Sequence, residues 1–440
     1  METVVAIALA ARLFTITGAA APGSPVAATA AVSPDTEAAP AGAARPDGQD
    51  TPADPILIAW SRDPAMAYGG LTLASVQRLG SRLLGSADAA RQRPGLAAAW
   101  EFPFAAVLSI VTHEVNGHGG RGREFDLRPR YGFDLLRMSA YTGTTRMPKS
   151  RDEIVSISGA GTEADTVLAH RLLFDLARPG GAEASTLPLA LFAKLDLTLY
   201  VASTARPDRE HAADFLDQYR EGNDIANYLV ARQGQRRGLD LGDMWNQVAD
   251  VDVDDPLLRK SADAARVAAL WNVLDPALIG AVVAYAREHL AGGAPGVRVP
   301  MLELGAGTGL SAGTRAFLAP SYVTRYLDLY VRVPFGVGSF YVRDLDSSVA
   351  RTWGWGGVFA FDRAGSRVAA NLAADRWDEP RSAEHGDGSP GWNVSGEIRV
   401  PAGRRVGVLL NVGHKTTGFV PGRPVKAGTY AGAGVLFSLR

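Results

Sequence analysis

Near Val297 the spacing of apolar residues switches from a helical period to alternation, which limits the chain to folds with two kinds of layer. From about Pro55 to Gly293 apolar residues recur at helical intervals. That spacing predicts helices over Leu71–Leu84, Phe104–His118, Glu163–Ala177, Leu187–Ala202, Arg209–Gln233, Leu257–Leu274 and Pro276–Leu290. Turn signals such as Arg178-Pro179-Gly180-Gly181 and Gly292-Gly293 separate them. Beyond Val297 the period is two. In Gly391–Pro401, Trp392, Val394, Ile398 and Val400 alternate with Asn393, Ser395, Glu397 and Arg399. The same pattern marks Tyr322–Val333, Ser339–Asp344, Trp353–Phe361, Arg367–Trp377, Arg405–Val412 and Thr429–Leu439. Strands in tandem with no helix between them predict an antiparallel meander. The expected class is α+β, a mostly helical N-terminal half followed by a barrel-like β half.

These patterns divide the 440 residues into three parts: 1–54, a helical domain at 55–296, and an antiparallel β domain at 297–440. Within the first part, Val4–Ala11 is a short apolar run and Gly18–Pro22 offers small residues for cleavage, although Glu2 stands where a cation is usual. The Ala/Pro-rich stretch that follows has little to bury and reads as a tether. This predicts an extracytoplasmic protein: periplasmic, outer-membrane or secreted. Several β segments are about ten residues long, which suits a soluble calyx or a tilted strand crossing an outer membrane. Alternation alone leaves both open.

Charge and cysteine usage narrow the chemistry. The chain carries 45 Lys and Arg against 46 Asp and Glu, so it lacks the cationic excess that binds nucleic acid. It has no unbroken run of 18 uncharged apolar residues, which argues against a bundle of membrane helices. Cysteine is absent, leaving His, Asp and Glu as the strong metal ligands.

The segment richest in chemistry is Val111-Thr-His-Glu-Val-Asn-Gly-His118. Here His113, Glu114 and His118 form H-E-x-x-x-H after the apolar stretch Phe104–Thr112. Common zinc helices place two histidines four residues apart, on one face. Five residues place them about 140° apart on an ideal helix, too far to share one ion. A π-bulge absorbs one extra residue, and Gly117 offers the backbone freedom for it. A pair of surface histidines is the plain alternative.

This segment resembles the H-E-x-x-G-H signature of the dipeptidyl peptidase III family of zinc metallopeptidases, and the similarity runs on through Gly119, Gly122 and Phe125. The resemblance implies a zincin-like helical half, Zn²⁺ as cofactor and a peptide or protein substrate. It implies His113 and His118 as ligands and Glu114 as general base on the metal-bound water. The family's third ligand is a Glu on a following helix, which here falls on Glu163 in Thr162-Glu163-Ala164-Asp165. The family's paired acids are missing there, and a helix-capping role for the same residues stays open. Arg121, Arg123, His170 and His211 are candidates to assist at the oxyanion, and no spacing selects among them.

Two further motifs compete. Leu302-Glu-Leu-Gly-Ala-Gly-Thr-Gly-Leu310 looks like the first motif of S-adenosylmethionine-dependent methyltransferases, through Gly305, Gly307 and Gly309. That motif should open alternating strands and helices, whereas strands follow it here. The acidic run Asp250–Asp255 lacks the central Gly and closing Glu of an EF-hand and reads as a turn before a helix. Three function classes therefore stand: a zinc-dependent hydrolase, a methyltransferase, and a non-enzymatic envelope protein with a β-barrel-type anchor.

Overall fold

Alternating apolar residues with short turns build the meander of the C-terminal half. The computed structural model describes residues 56–61, 66–85, 89–90, 92–134, 139–178, 181–239, 251–299, 301–305, 308–319, 323–346, 351–361, 368–378, 390–403 and 405–437. Segment 1–54, with its signal-like run and tether, lies outside them, as do Gly307 and Asp250.

The chain opens with strand β1 (Ile56–Ser61) and helices α1 (Met66–Leu83) and α2 (Pro94–Val111). A π-helical turn over Thr112–His118 carries α2 into α3 (Gly119–Glu124). The hairpin β2 (Pro129–Asp134) and β3 (Ser139–Thr144) follows, then α4 (Arg151–Ser158), α5 (Ala160–Leu176), the two-residue β4 (Ala182–Glu183) and α6 (Leu187–Ser203). Next come α7 (Ala212–Arg220), α8 (Asp224–Arg236), α9 (Pro256–Val273) and α10 (Pro276–Ala284), which ends in a second π turn, Tyr285–Leu290. Strand β5 (Gly296–Val297) pairs with β4. The sheet strands are β6 (Leu302–Glu303), β7 (Gly309–Leu318), β8 (Val323–Val333), β9 (Gly336–Asp346), β10 (Arg351–Phe361), β11 (Ala369–Asp378), β12 (Pro390–Pro401), β13 (Val406–Lys415) and β14 (Gly428–Phe437).

One predicted helix is two. Arg209–Gln233 breaks at Gly222, whose φ of 87° belongs to the left-handed region, and Asn223 then caps α8 by accepting from the Ala226 amide at 3.0 Å. The hairpin β2–β3 and helix α4 carry too little periodicity for the sequence to announce them. The acidic turn behaves as expected at its described end, where Asp255 accepts from the Leu257 amide at 2.8 Å and caps α9.

Ten strands form one antiparallel sheet in the order β1-β14-β13-β12-β11-β10-β9-β8-β7-β6. The mixed α+β class and the meander are as expected, but the barrel-like expectation needs correction: β1 and β6 are free edges and the sheet stays open. Helices stand where closing strands would be. Helix α1 packs beside β1, while α9 and α10 pack against β7. Helix α5 lies on one face of the sheet, where Arg171 pairs with Glu397 and His170 faces Tyr330. Residues 54–440 thus form one compact unit. Its main core joins both halves, with Val155, Leu197, Phe215, Leu229 and Ala265 packed with Ala316, Leu318 and Val323 of the sheet.

Candidate metal centre

Helix α2 runs into the motif with its regular ladder, and the ladder then widens to the π pattern over Thr112–His118. In that pattern residues five apart lie nearly above one another. The two imidazoles therefore converge: His113 Nε2 and His118 Nε2 are 3.0 Å apart, with ring planes 67° from each other. Gly117 acts differently from the sequence reading. It does not adopt a positive φ; instead, a Cβ there would sit 2.5 Å from the Ala160 carbonyl oxygen and 2.6 Å from Gly161 Cα. Gly161 completes the contact, because a Cβ on it would overlap His113 Nε2. The two glycines let α5 approach the π turn closely.

Asp224, at the first turn of α8, supplies a third atom. Its Oδ2 is 3.0 Å from His113 Nε2 and 3.0 Å from His118 Nε2. Three ligands of a tetrahedral zinc, each ~2.0–2.1 Å from the ion, stand about 3.3 Å apart, close to this triangle. Both histidines are buried, at 3% and 5% exposure, while the Asp224 side chain keeps 17%, so solvent reaches the triangle from the Asp224 side.

The far nitrogens fix the tautomers. His118 Nδ1 lies 2.7 Å from the Ile157 carbonyl, which can only accept, so Nδ1 carries a proton and in the neutral ring Nε2 is the lone-pair nitrogen. His113 Nδ1 faces Asp196 Oδ2 at 3.0 Å and Asp165 Oδ2 at 3.5 Å, the arrangement in which a carboxylate orients a metal-binding imidazole. Tyr200 stacks on the His113 ring at 4.9 Å. Burial pushes Asp224 upward, yet His118 and His113 hold its carboxyl well below the usual carboxylate range. Asp165 goes the other way: burial, with Asp196 beside it, pushes its carboxyl up to about 8.

Glu114, 6% exposed, is held from the hairpin side, where the Thr142 hydroxyl donates to its Oε2 at 2.6 Å. Glu163 is elsewhere, and its assignment as third ligand is corrected. Its carboxylate receives Arg121 Nη2 at 2.5 Å, Arg121 Nε at 3.2 Å and the Gly422 amide at 2.8 Å. Those bonds occupy its lone pairs and pin the β13–β14 loop to the helices. Of the capping alternative, the Thr162–Asp165 box fails, since α5 starts at Ala160 and the Thr162 hydroxyl donates to the Gly159 carbonyl, whereas Glu163 does stand as an acid in the first helical turn.

Among the other candidates, Arg121 is committed to Glu163 and Glu124, and Arg123 donates to Tyr131 and to the Val115 carbonyl. His170 faces the Tyr330 hydroxyl at 3.4 Å, and His211 sits beside Asp208 at the surface. Gly305 lies in the turn between antiparallel β6 and β7. A cofactor-binding glycine turn leads from a strand into a helix, so this turn lacks the helix N-terminus that such a site uses.

Asp224 and Asp196 are the residues the sequence reading missed. Asp224 follows an Asn at a helix start, where an acid reads as a dipole partner. Asp196 did leave a signal: it and Lys194 are the charged residues of the otherwise apolar α6. A scan of protein-family models, a search of curated proteins and a search of solved structures each return no match to this chain.

Proposed function

We propose that this chain is a zinc-dependent hydrolase acting on peptides or proteins, with His113, His118 and Asp224 as its metal ligands. One observation carries the reading: two imidazole Nε2 atoms and one carboxylate oxygen stand 3.0 Å apart from each other in a largely buried site. Without a metal, the Asp224 carboxylate accepts from the protonated imidazoles in the same triangle, and an ion entering it takes the place of those protons. When bound, zinc supplies a Lewis acid for a carbonyl oxygen and lowers the pKa of water to about 7.

The chain's own groups do the rest. Asp196 and the Ile157 carbonyl hold the two rings in their ligand tautomers. Glu114, fixed by Thr142, accepts the proton of the attacking water and delivers it to the leaving amine. The local likeness of His113–Phe125 to the H-E-x-x-G-H peptidases supports the substrate class and the role of Glu114, with an Asp from α8 in place of their Glu. An extracytoplasmic location belongs to the same proposal and rests on residues 1–54.

Metal analysis of the purified full chain tests the site, and the expected result is one zinc per chain, lost in His113→Ala and His118→Ala. Glu114→Gln should keep the zinc and lower peptide turnover by ~10²–10⁴-fold. Zinc-free protein after zinc loading, or unchanged turnover in Glu114→Gln, ends the proposal.

A further inference from the structure

A sheet covered by helices on one face ordinarily turns its apolar residues toward those helices and its polar residues to solvent. This sheet is inverted. Its covered face carries Asp328, Arg343, Asn393, Glu397, Asn411 and Lys415, all less than 9% exposed. Among them, Lys415 Nζ donates to the carbonyls of Thr416, Gly418 and Val425 at 2.7–3.0 Å, and Glu397 receives Asn371, Arg171 and Arg399. Its uncovered face carries Leu327, Leu329, Phe340, Val342, Leu372 and Leu410, each 44–56% exposed. Strand β13 shows the pattern most plainly, with Val406, Val408, Leu410 and Val412 exposed and Leu409, Asn411 and Lys415 buried.

The uncovered face is also ordered along the strands. Its charged groups collect at one rim, where the helical core covers Leu318 and Val323, Arg325 pairs with Asp344 at 2.6 Å and lies over Trp271 of α9, and Arg376 lies beside Trp355 and Trp392 in the register. Trp353, Trp355 and Trp392 stand at that rim, and Phe335, Phe361 and Phe437 at the other. Trp353 and Phe361, at opposite ends of β10, are about 27 Å apart along the strand at ~3.4 Å per residue. A tilt of ~35–45° reduces that to about 19–22 Å along the normal, near the ~25 Å apolar belt that faces hydrocarbon.

The helices beside β7 continue this belt. Between Val267 and Val283 the exposed large side chains are Val267, Leu270, Val273, Leu274, Ile279 and Val283, while Arg259, Lys260 and Asp263 flank one end and Arg287 and Glu288 the other. An 18-residue window within Pro256–Leu290 is apolar enough by composition to cross a membrane. An open sheet edge is tolerated in hydrocarbon only where protein satisfies its backbone. At β7 the Asn272 amide donates to the Ala316 carbonyl at 3.0 Å and accepts from the Ala316 amide at 2.9 Å, and Lys194 donates to the Thr314 carbonyl. At β1 the Leu57 amide donates to Ser75 Oγ at 3.0 Å.

From this inverted polarity we infer that strands β8–β14, with the outer faces of α9 and α10, form a lipid-facing wall, and that bilayer acyl chains cover it. The chain contains no cysteine, so one introduced cysteine carries a spin label at a unique site. Val394→Cys, Leu410→Cys and Leu270→Cys probe the belt, and Asp263→Cys lies beyond it. The full chain, reconstituted in phosphatidylcholine vesicles, is tested for collision of each label with oxygen and with a water-soluble nickel chelate. At the three belt positions oxygen access should exceed chelate access several-fold, with the reverse at 263. The unsubstituted protein gives a second readout independent of labelling, because brominated phosphatidylcholine should quench its tryptophan emission. Belt labels as open to the chelate as position 263 would overturn the inference. So would a monomer that stays in water without detergent, or dipolar coupling between two copies of the 410 label, which would make a second chain the cover.

Discussion

Replacing Asp224 by asparagine and, separately, Glu163 by glutamine separates the two acids that compete for the third ligand position. Asp224 Oδ2 is 3.0 Å from both ligand nitrogens, so Asp224→Asn removes the anionic ligand and leaves two neutral imidazoles. Changes to residues that only orient a ligand weaken metal binding by ~10–100-fold. Loss of a direct, charged ligand should exceed that range, so a decrease of at least about 100-fold in zinc affinity, or ~2.7 kcal/mol, is expected. Asp196→Asn, which keeps a hydrogen-bonding group beside His113, should fall inside the range. Glu163→Gln should leave zinc affinity unchanged and lower stability instead. It removes the charge facing buried Arg121, a loss that costs ~3–5 kcal/mol when a buried cation is left alone. Arg121 keeps Glu124 at 2.7 Å and the Arg423 carbonyl at 2.9 Å, so the lower end of that range is expected. Competition titration against a fluorescent zinc chelator gives the affinity, and urea denaturation of the metal-free proteins gives the stability. A Glu163→Gln variant that loses zinc while Asp224→Asn retains it would refute the assignment.

Three further outcomes follow from the same geometry. Gly161→Ala drives a methyl group into His113 Nε2, and overpacking of this kind costs ~1–3 kcal/mol, so zinc content should fall while far-ultraviolet circular dichroism stays unchanged. Zinc affinity should weaken as the medium is acidified. Asp224 is held below the usual carboxylate range and stays ionised, so the imidazoles must shed the protons, and calorimetry in buffers of different ionisation enthalpy should register proton release on binding. Asn272→Ala strips the acceptor from the Ala316 amide and leaves the Ala316 carbonyl the Thr166 hydroxyl at 3.4 Å; the unpaired amide costs ~1–3 kcal/mol, and faster hydrogen exchange there is the measurement.

The sequence carried the element types well because they depend on local periodicity. Predicted Leu187–Ala202 and observed α6, or predicted Trp353–Phe361 and observed β10, differ at their ends by a residue or two. It also carried the strain at His118: a five-residue spacing of two histidines meant a regular helix or a shared target, and the π turn over Thr112–His118 favours the shared target. What escaped was whatever depends on distant partners. Asp224 reaches the site only because α8 returns beside the π turn, more than a hundred residues later. Glu163 looked like a ligand because its spacing was right, but spacing says nothing about Arg121, which the α3 turn aims at it.

By itself, then, the order of residues determined that helices precede strands, that the strands form a meander, and where two imidazoles could meet, since each is set by neighbours within a few positions. The tertiary structure alone decided which carboxylate joins them, that helices rather than strands flank the sheet edges, and which side of each strand faces outward. Alternation fixes that the two faces of a strand differ, whereas the helices packed on the sheet decide which face is covered, and here the covered face holds charged groups such as Asp328, Arg343 and Lys415.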